Sequence, residues 1–352
     1  MLCPVCNDYH ITRAEELVSV ARKRFAPCSL CPLPLERVLS KRDPLPSSYT
    51  VLKPCACNKR FIDDVIAHIY FLFVEQGVFS GDEALADVGI PMPDPGFFSR
   101  QPPYLSSHSL LLLTPHSTAE LSHRLVREVP ELHGVVSSNN KVPGISASPD
   151  YRAVEKINTH TYTLSAGCDV RADIFPCSGG SCVIYKQQSC MHIEFPRGYY
   201  PKIRSVERYL KRVKPHYFID ACSGSGTLGI TAAMNGVPHV VLNDAWYAGA
   251  FFSGFNLLVN QESLKYDEVI MHTDYQSMQN TPVRSEPVLI AEAYGDKRSC
   301  HVYHGDLWHL GDVLDYTPDL TVIDPFDKKD TGVIDTICSQ WRRQYGGEVF
   351  VP

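Results

Sequence analysis

Short apolar runs that close on an acid dominate the last third of the chain. His216-Tyr217-Phe218-Ile219 closes on Asp220, and Val240-Val241-Leu242 leads to Asp244. Val302-Tyr303-His304 leads to Asp306, and Leu320 to Ile323 runs into Asp324. Apolar runs of this length, bounded by turn residues, read as strands buried on both faces. Between the first two, Ala221 to Gly226 is a tight turn and Thr227 to about Asn235 reads as a helix. This strand–glycine loop–helix–strand order predicts the nucleotide-binding half of an α/β fold with a doubly wound, Rossmann-like sheet. Ligands of such sheets bind beyond the carboxyl ends of the strands, where these acids and glycines fall. A helix over Thr331 to Tyr345 and a strand over Glu348 to Val351 complete the pattern.

Upstream the rhythm is more mixed. Thr12-Arg-Ala-Glu15 reads as a capping box opening a helix to about Phe25, and Phe61 to Gln76 as a strongly apolar helix stopped by Gly77. Pro91 to Pro103 holds five prolines in thirteen residues and predicts a linker. Leu110 to Leu113, Val135-Val136, Thr161 to Leu164, Ala172 to Phe175 and Cys182 to Tyr185 read as strands. Ser117-Thr-Ala-Glu120 opens a helix to about Glu128, and Ser137 to Asp150 reads as loop. The expected organisation is a cysteine-rich module with a packing helix (1–90), a linker and small α+β domain (91–200), and the doubly wound domain (201–352). From Ser205 a helix carries Arg204, Arg208, Lys211, Arg212 and Lys214 nearby, with Tyr199 and Tyr200 beside Lys202. Such a stretch can hold phosphate or stack a base, or simply cover the sheet with a solvated face.

Composition narrows the class. An apolar content of 44% with 20% charged residues over 352 positions is that of a globular chain of roughly two domains. The net charge of −6 offers no general attraction to nucleic acid, so a polyanion site needs a local basic patch. No apolar run reaches the roughly 18–20 residues of a membrane span, and no secretory signal is evident. Thirteen cysteines without such a signal point to a reducing compartment, the cytoplasm, and to metal rather than disulfides. Cys3-Pro-Val-Cys6, Cys28-Ser-Leu-Cys31 and Cys55-Ala-Cys57 are three closely spaced pairs. Two pairs complete a tetrahedral zinc site. Cys3, Cys6, Cys28 and Cys31 form the plain set. A set using Cys55 and Cys57, a second ion, iron–sulfur ligation and free thiols stay open.

Asp220, Gly224, Gly226 and Gly229 spell D-x-x-x-G-x-G-x-x-G. An acid before the loop repels a pyrophosphate and welcomes a cationic or zwitterionic ligand. Asp244 is placed to accept from two ribose hydroxyls. This series resembles the class I S-adenosylmethionine-dependent methyltransferases, from roughly Pro201 onward. FIDACSGSGTLGI looks like their first motif, Asp244 like the ribose-binding acid, and Asp306 like the acid that reads the adenine amino group. Asp324-Pro325-Phe326 looks like the fourth motif, which faces the methyl acceptor. GSGTLGITAA with Asn256 and Asn260 is similar to RNA-directed members, nearest the guanine exocyclic-amino type.

The resemblance implies S-adenosylmethionine held by Asp220, Ser223, Gly224, Gly226, Asp244 and Asp306. Asp324 and the Pro325 carbonyl would accept from a target amino group, and Phe326 would stack on a flipped base. The second proline of the more usual Asp/Asn-Pro-Pro-Phe/Tyr form is absent. No cysteine occupies the fourth motif, against a covalent pyrimidine mechanism, and Cys222 reads as packing. The expected function is methyl transfer to RNA. A protein acceptor and a catalytically retired scaffold are the alternatives. The sheet also looks one helix and a strand hairpin short after Asp324, leaving an edge for the upstream domain or a partner protein to cover. Gln261 to Cys300 is long for a connection and predicts an insertion at a sheet edge.

Overall fold

The computed structural model describes residues 1–33, 37–46, 48–138, 162–198, 200–279, 281–325 and 331–352. Helix α1 spans Ala14–Phe25 as expected, but its capping box does not form. Arg13 is the N-cap and makes no side-chain cap bond. Thr12 instead receives and gives bonds to the Tyr185 hydroxyl, and Glu15 accepts from the Ser263 backbone N–H at 2.7 Å. The box residues are used to dock α1 onto later parts of the chain. Strand β1 (Arg60–Phe61) runs into α2 (Ile62–Glu75), which buries Val65, Ile69, Leu72 and Phe73.

The middle of the chain holds β2 (Ile90–Pro93), β3 (Tyr104–Leu105), β4 (Leu110–Thr114), α3 (Ala119–Glu128), β5 (Leu132–Ser138) and β6 (Tyr162–Gly167). Strands β2-β4-β5-β6 form one sheet in that order. The expected linker therefore begins with a strand. Among the described residues β2 lies at the sheet edge and pairs antiparallel with β4 alone, so Pro91 and Pro93 sit where a missing donor is tolerated. Thr118, not Ser117, caps α3, its hydroxyl accepting from the Leu121 N–H. Ser137 and Ser138 belong to β5. The rest of the expected loop to Asp150, and Thr161, lie outside the described residues. Strands β7 (Val170–Cys177) and β8 (Gly180–Gln187) form a separate hairpin.

The remaining elements are α4 (Pro201–Val213), β9 (Tyr217–Asp220), α5 (Thr227–Met234), β10 (His239–Asp244), α6 (Tyr247–Val259), β11 (Glu268–Met271), β12 (Val288–Gly295), β13 (Arg298–His304), β14 (Leu320–Val322), α7 (Thr331–Tyr345) and β15 (Glu348–Phe350). One seven-stranded sheet takes the order β11-β12-β13-β10-β9-β14-β15. Its five parallel strands read third, second, first, fourth, fifth, the doubly wound order. The expected insertion is β11 and β12, added antiparallel beyond β13.

Alternate side chains of this sheet enter different cores. Phe218, Val240, Leu242 and Phe350 pack on the α5 and α6 side. Ile219, Val241 and Val349 pack on the other, around the fully buried Trp341 of α7. Trp341 donates its indole N–H to Thr321 at 3.1 Å. Among the described residues β15 pairs with β14 alone, but α4 lies across it. Tyr209 stacks on Phe350 with ring centroids 3.8 Å apart, and Arg212 pairs with Glu348.

The hairpin β7–β8 joins the two halves. Asn256 on α6 accepts from the Tyr185 N–H at 2.8 Å and donates to its carbonyl at 2.9 Å. Asn260, one turn on, does the same with Val183 at 3.0 and 2.7 Å. Two side-chain amides thus stand in for a neighbouring strand along β8. The core that holds these elements also takes in Ile11, Ala14, Leu17 and Ala21, so the first residues of the cysteine-rich segment pack with the C-terminal half.

Candidate active site and cysteine cluster

Three strand ends converge. The register aligns Asp220 with Leu242 of β10 and with Val322 of β14. Asp220, Asp244 and Asp324 therefore sit at, or two residues past, the same level of three adjacent parallel strands. Asn243 ties these ends together by donating to the carbonyls of Ala221 and Gly305 at 3.3 and 3.1 Å.

The loop between β9 and α5 is held from below. Gly224 and Gly226 take φ of +53° and +88°, backbone that favours glycine. Gly229 sits where a Cβ would lie 1.9 Å from Leu242 Cδ2, so only a hydrogen lets α5 approach β10 this closely. The Ser223 hydroxyl meets Ser253 of α6 at 2.9 Å, and Ser253 donates to the Gly224 carbonyl at 3.0 Å. Asn256 also donates to the Ser225 carbonyl at 3.0 Å.

Each acid has its own environment. Asp220 is fully buried. One carboxylate oxygen accepts from the Gly229 N–H at 2.9 Å, while Oδ1 is buried without a hydrogen-bond partner. Burial, then the neighbouring Asp324 and Asp244, push its pKa up to about 8, against the pull of the Gly229 N–H and Lys202. A buried acid with an orphan oxygen suits a ligand that brings a positive charge. Asp244 accepts from the N–H groups of Gly224 and Trp246, both at 2.7 Å, and burial raises its pKa to about 6. Its remaining lone pairs suit hydroxyl donors. Asp306 caps a short 3₁₀ turn, accepting from the Trp308 N–H at 3.0 Å. Cys222 is half-buried, and desolvation raises its thiol well above the ordinary range, consistent with packing rather than nucleophilic chemistry.

On the acceptor side, Asp324 is paired with Lys202 of α4 at 2.7 Å, and Pro325 follows half-buried. Phe326 and Tyr199 lie outside the described residues. Behind Lys202 stands a chain of charges from β7, β8 and the segment before α4. The Tyr200 hydroxyl donates to Glu194, Lys186 pairs with Glu194 at 2.5 Å, and buried Arg171 pairs with Asp173 at 2.6 Å. Sequence reasoning singled out Lys202 and Tyr200 as part of a basic, aromatic stretch but missed their pairing with Asp324 and Glu194. The basic stretch around Lys202 was the available signal. Helix α4 covers the sheet with Ile203, Val206 and Leu210 and leaves Arg204, Arg208, Lys211 and Arg212 exposed.

The six early cysteines divide differently from the plain set. Cys28, Cys31, Cys55 and Cys57 come together, with sulfur–sulfur separations of 3.7 Å (Cys28–Cys31 and Cys28–Cys55) and 3.6 Å (Cys31–Cys57). Four sulfurs about 2.3 Å from a shared tetrahedral zinc stand about 3.8 Å from one another. The quartet has that spacing, so its donor set fits the ion. Cys3 and Cys6 are elsewhere, beside His10 and Cys168.

No protein-family model matches the chain, and no curated protein matches it. Solved structures do. Trm1 from Pyrococcus horikoshii with S-adenosyl-L-methionine is 16% identical at a TM-score of 0.33, over 51% of this chain and 42% of that one. Trm5b from Pyrococcus abyssi is 12% identical at 0.33, over 65% and 53%. The M. jannaschii tRNA m1G37 methyltransferase is 9% identical at 0.35, over 92% and 80%. The chain spans about half the length of the first two. The fold assignment rests on the sheet itself: parallel strands in the order 3-2-1-4-5, a glycine loop after the first, and acids at the strand ends. The C-terminal half of this chain has a doubly wound, Rossmann-like α/β fold.

Proposed function

We propose that the chain transfers a methyl group from S-adenosylmethionine to RNA, at a base amino group. The observation that carries this is Asp220, buried beside the glycine loop with one oxygen unpartnered, flanked at adjacent strand ends by Asp244 and Asp324. Asp220 would receive the cofactor's ammonium group, and Ser223, Gly224 and Gly226 would shape the loop around it. Asp244 would receive the ribose hydroxyls and Asp306 the adenine amino group. Bound there, the cofactor supplies a methyl group activated by its sulfonium.

The chain's own work is positioning and electrostatics. Asp324 and the Pro325 carbonyl would accept from the two amino hydrogens of the target base and so orient its nitrogen lone pair. By the same resemblance, Phe326 would stack on the base. The exposed arginines and lysine of α4, joined to the site through Lys202, favour a polyphosphate acceptor over a protein side chain. The Cys28, Cys31, Cys55 and Cys57 quartet would hold zinc as a closed structural site.

A retired scaffold is the second reading, and the Lys202–Asp324 pair favours it, because that lysine occupies the acid the acceptor needs. Purified protein, tritiated S-adenosylmethionine and total RNA separate the readings. Label that is lost to ribonuclease and falls at least about 100-fold in Asp324→Ala supports transfer to RNA. Label that survives ribonuclease but not protease moves the acceptor to protein. Cofactor binding with no label in either pool supports the scaffold.

A further inference from the structure

Outside the nucleotide site, a second group of metal-ligating side chains joins the first ten residues to the middle of the chain. Cys3, Cys6, His10 and Cys168 place three sulfurs and one ring nitrogen within 4.8 Å of one another. Cys3 Sγ lies 3.8 Å from Cys168 Sγ, and Cys6 Sγ lies 3.2 Å from His10 Nε2. The first value is the edge of a tetrahedron with sulfurs about 2.3 Å from its centre. The second is somewhat tighter than the corresponding sulfur–nitrogen edge. The sulfurs are far too distant for a disulfide, whose S–S bond is about 2.05 Å.

The backbone around Cys3 has the turn seen at the other quartet. The Cys3 N–H donates to the Asp8 carbonyl at 2.9 Å, and the Asn7 N–H to the Cys3 carbonyl at 3.1 Å. At the other quartet the Cys55 N–H donates to the Lys59 carbonyl at 2.9 Å, and the Asn58 N–H to the Cys55 carbonyl at 2.7 Å. Both turns put an asparagine in left-handed backbone just after the second cysteine, at φ +63° for Asn7 and +58° for Asn58. The same local device thus presents a cysteine pair at each place. Cys168, between β6 and β7, supplies the sulfur that no N-terminal pair provides.

We propose that Cys3, Cys6, His10 and Cys168 bind a second zinc ion, in a closed, structural Cys₃His site. Two or more thiolates with an imidazole select a soft divalent ion of tetrahedral preference. Three thiolates and one imidazole fill the coordination sphere, so the ion activates no water. Its role is a clasp. It fastens residues 3–10 to the turn that leads into β7, and β7–β8 is the hairpin held by Asn256 and Asn260 against α6. The N-terminus is thereby tied to the helix beneath the glycine loop. This inference does not depend on the methyl-transfer reading.

Metal analysis of the native full-length chain, purified without chelator, tests it. Two zinc ions per chain are expected. Cys168→Ser should retain one ion, and Cys55→Ser should independently lose the other. Cys168→His, which keeps a ligand, should retain two. A wild-type count of one that falls to zero in Cys55→Ser would overturn the second site while leaving the first intact. A count of two that Cys168→Ser leaves unchanged would overturn it as well. The wild-type count needs no variant to fold. Cobalt substitution adds a second readout, because the three thiolates of this site should add about three quarters to the charge-transfer absorbance of the four-thiolate site.

Discussion

Lys202 Nζ lies 2.7 Å from a carboxylate oxygen of Asp324, and the pair joins the first turn of α4 to the end of β14. The lysine side chain is 36% exposed and that of the acid 14%, so the pair lies between a surface and a buried ion pair. Lys202→Met would leave Asp324 facing Asp220 without its counter-charge. The expected loss is about 1–3 kcal/mol of unfolding free energy. Adding Asp324→Asn should recover most of it. Urea unfolding of both single variants and the double variant closes the cycle. A coupling indistinguishable from zero would show that the pair contributes nothing.

Asp220 predicts a proton. In the unfolded chain its pKa is the ordinary 3.8, and in the fold it is about 8, so the folded state holds an extra proton between these values. Its contribution to the stability of the ligand-free protein is full below about pH 4 and is lost as pH rises through about 8. Burial, then Asp324 and Asp244, push in this direction, and the Gly229 N–H and Lys202 push against it. A cationic ligand amine needs the carboxylate. Binding S-adenosylmethionine at pH 7 should therefore release close to one proton, read as a dependence of the binding heat on the buffer's ionisation enthalpy. The release should vanish above about pH 9 and in Asp220→Asn. A binding heat independent of buffer in the wild-type chain would contradict this protonation state.

Asn256 carries a structural prediction. Its amide serves Tyr185 N–H, Tyr185 carbonyl and Ser225 carbonyl together. Asn256→Ala strands buried backbone groups and should cost about 2–4 kcal/mol. Amide exchange at Tyr185 should quicken more than at Phe218 in the middle of the sheet. Equal changes at both would mean that the hairpin and sheet open as one unit and that Asn256 is no local tie.

The parts legible in the sequence were those with a local cause. The strands that end in Asp220 and Asp244 announced themselves as short apolar runs, and Gly224, Gly226 and Gly229 as a turn feeding a helix. α7 began and ended where its pattern did, at Thr331 and Tyr345. What escaped depends on distance. Pro91 and Pro93 break a central strand but not an edge strand, and nothing local says which β2 is. Thr12 and Glu15 form a capping box only if Tyr185 and Ser263 do not claim them first. Cys168 joins Cys3 across 165 positions, a span over which spacing rules are silent. Asn256 and Asn260 drew attention as a family trait, while their physical work, pairing β8, needed the hairpin to be seen.

The central claim is that the glycine loop and its acids hold S-adenosylmethionine. Calorimetric titration of S-adenosylmethionine into the native chain tests it most directly, with Asp244→Ala alongside. The account predicts saturable one-to-one binding in the micromolar range, weakened at least about tenfold in Asp244→Ala, a loss of about 1.4 kcal/mol or more. A folded wild-type chain that shows no binding, or a variant that binds as tightly as the wild type, would contradict it.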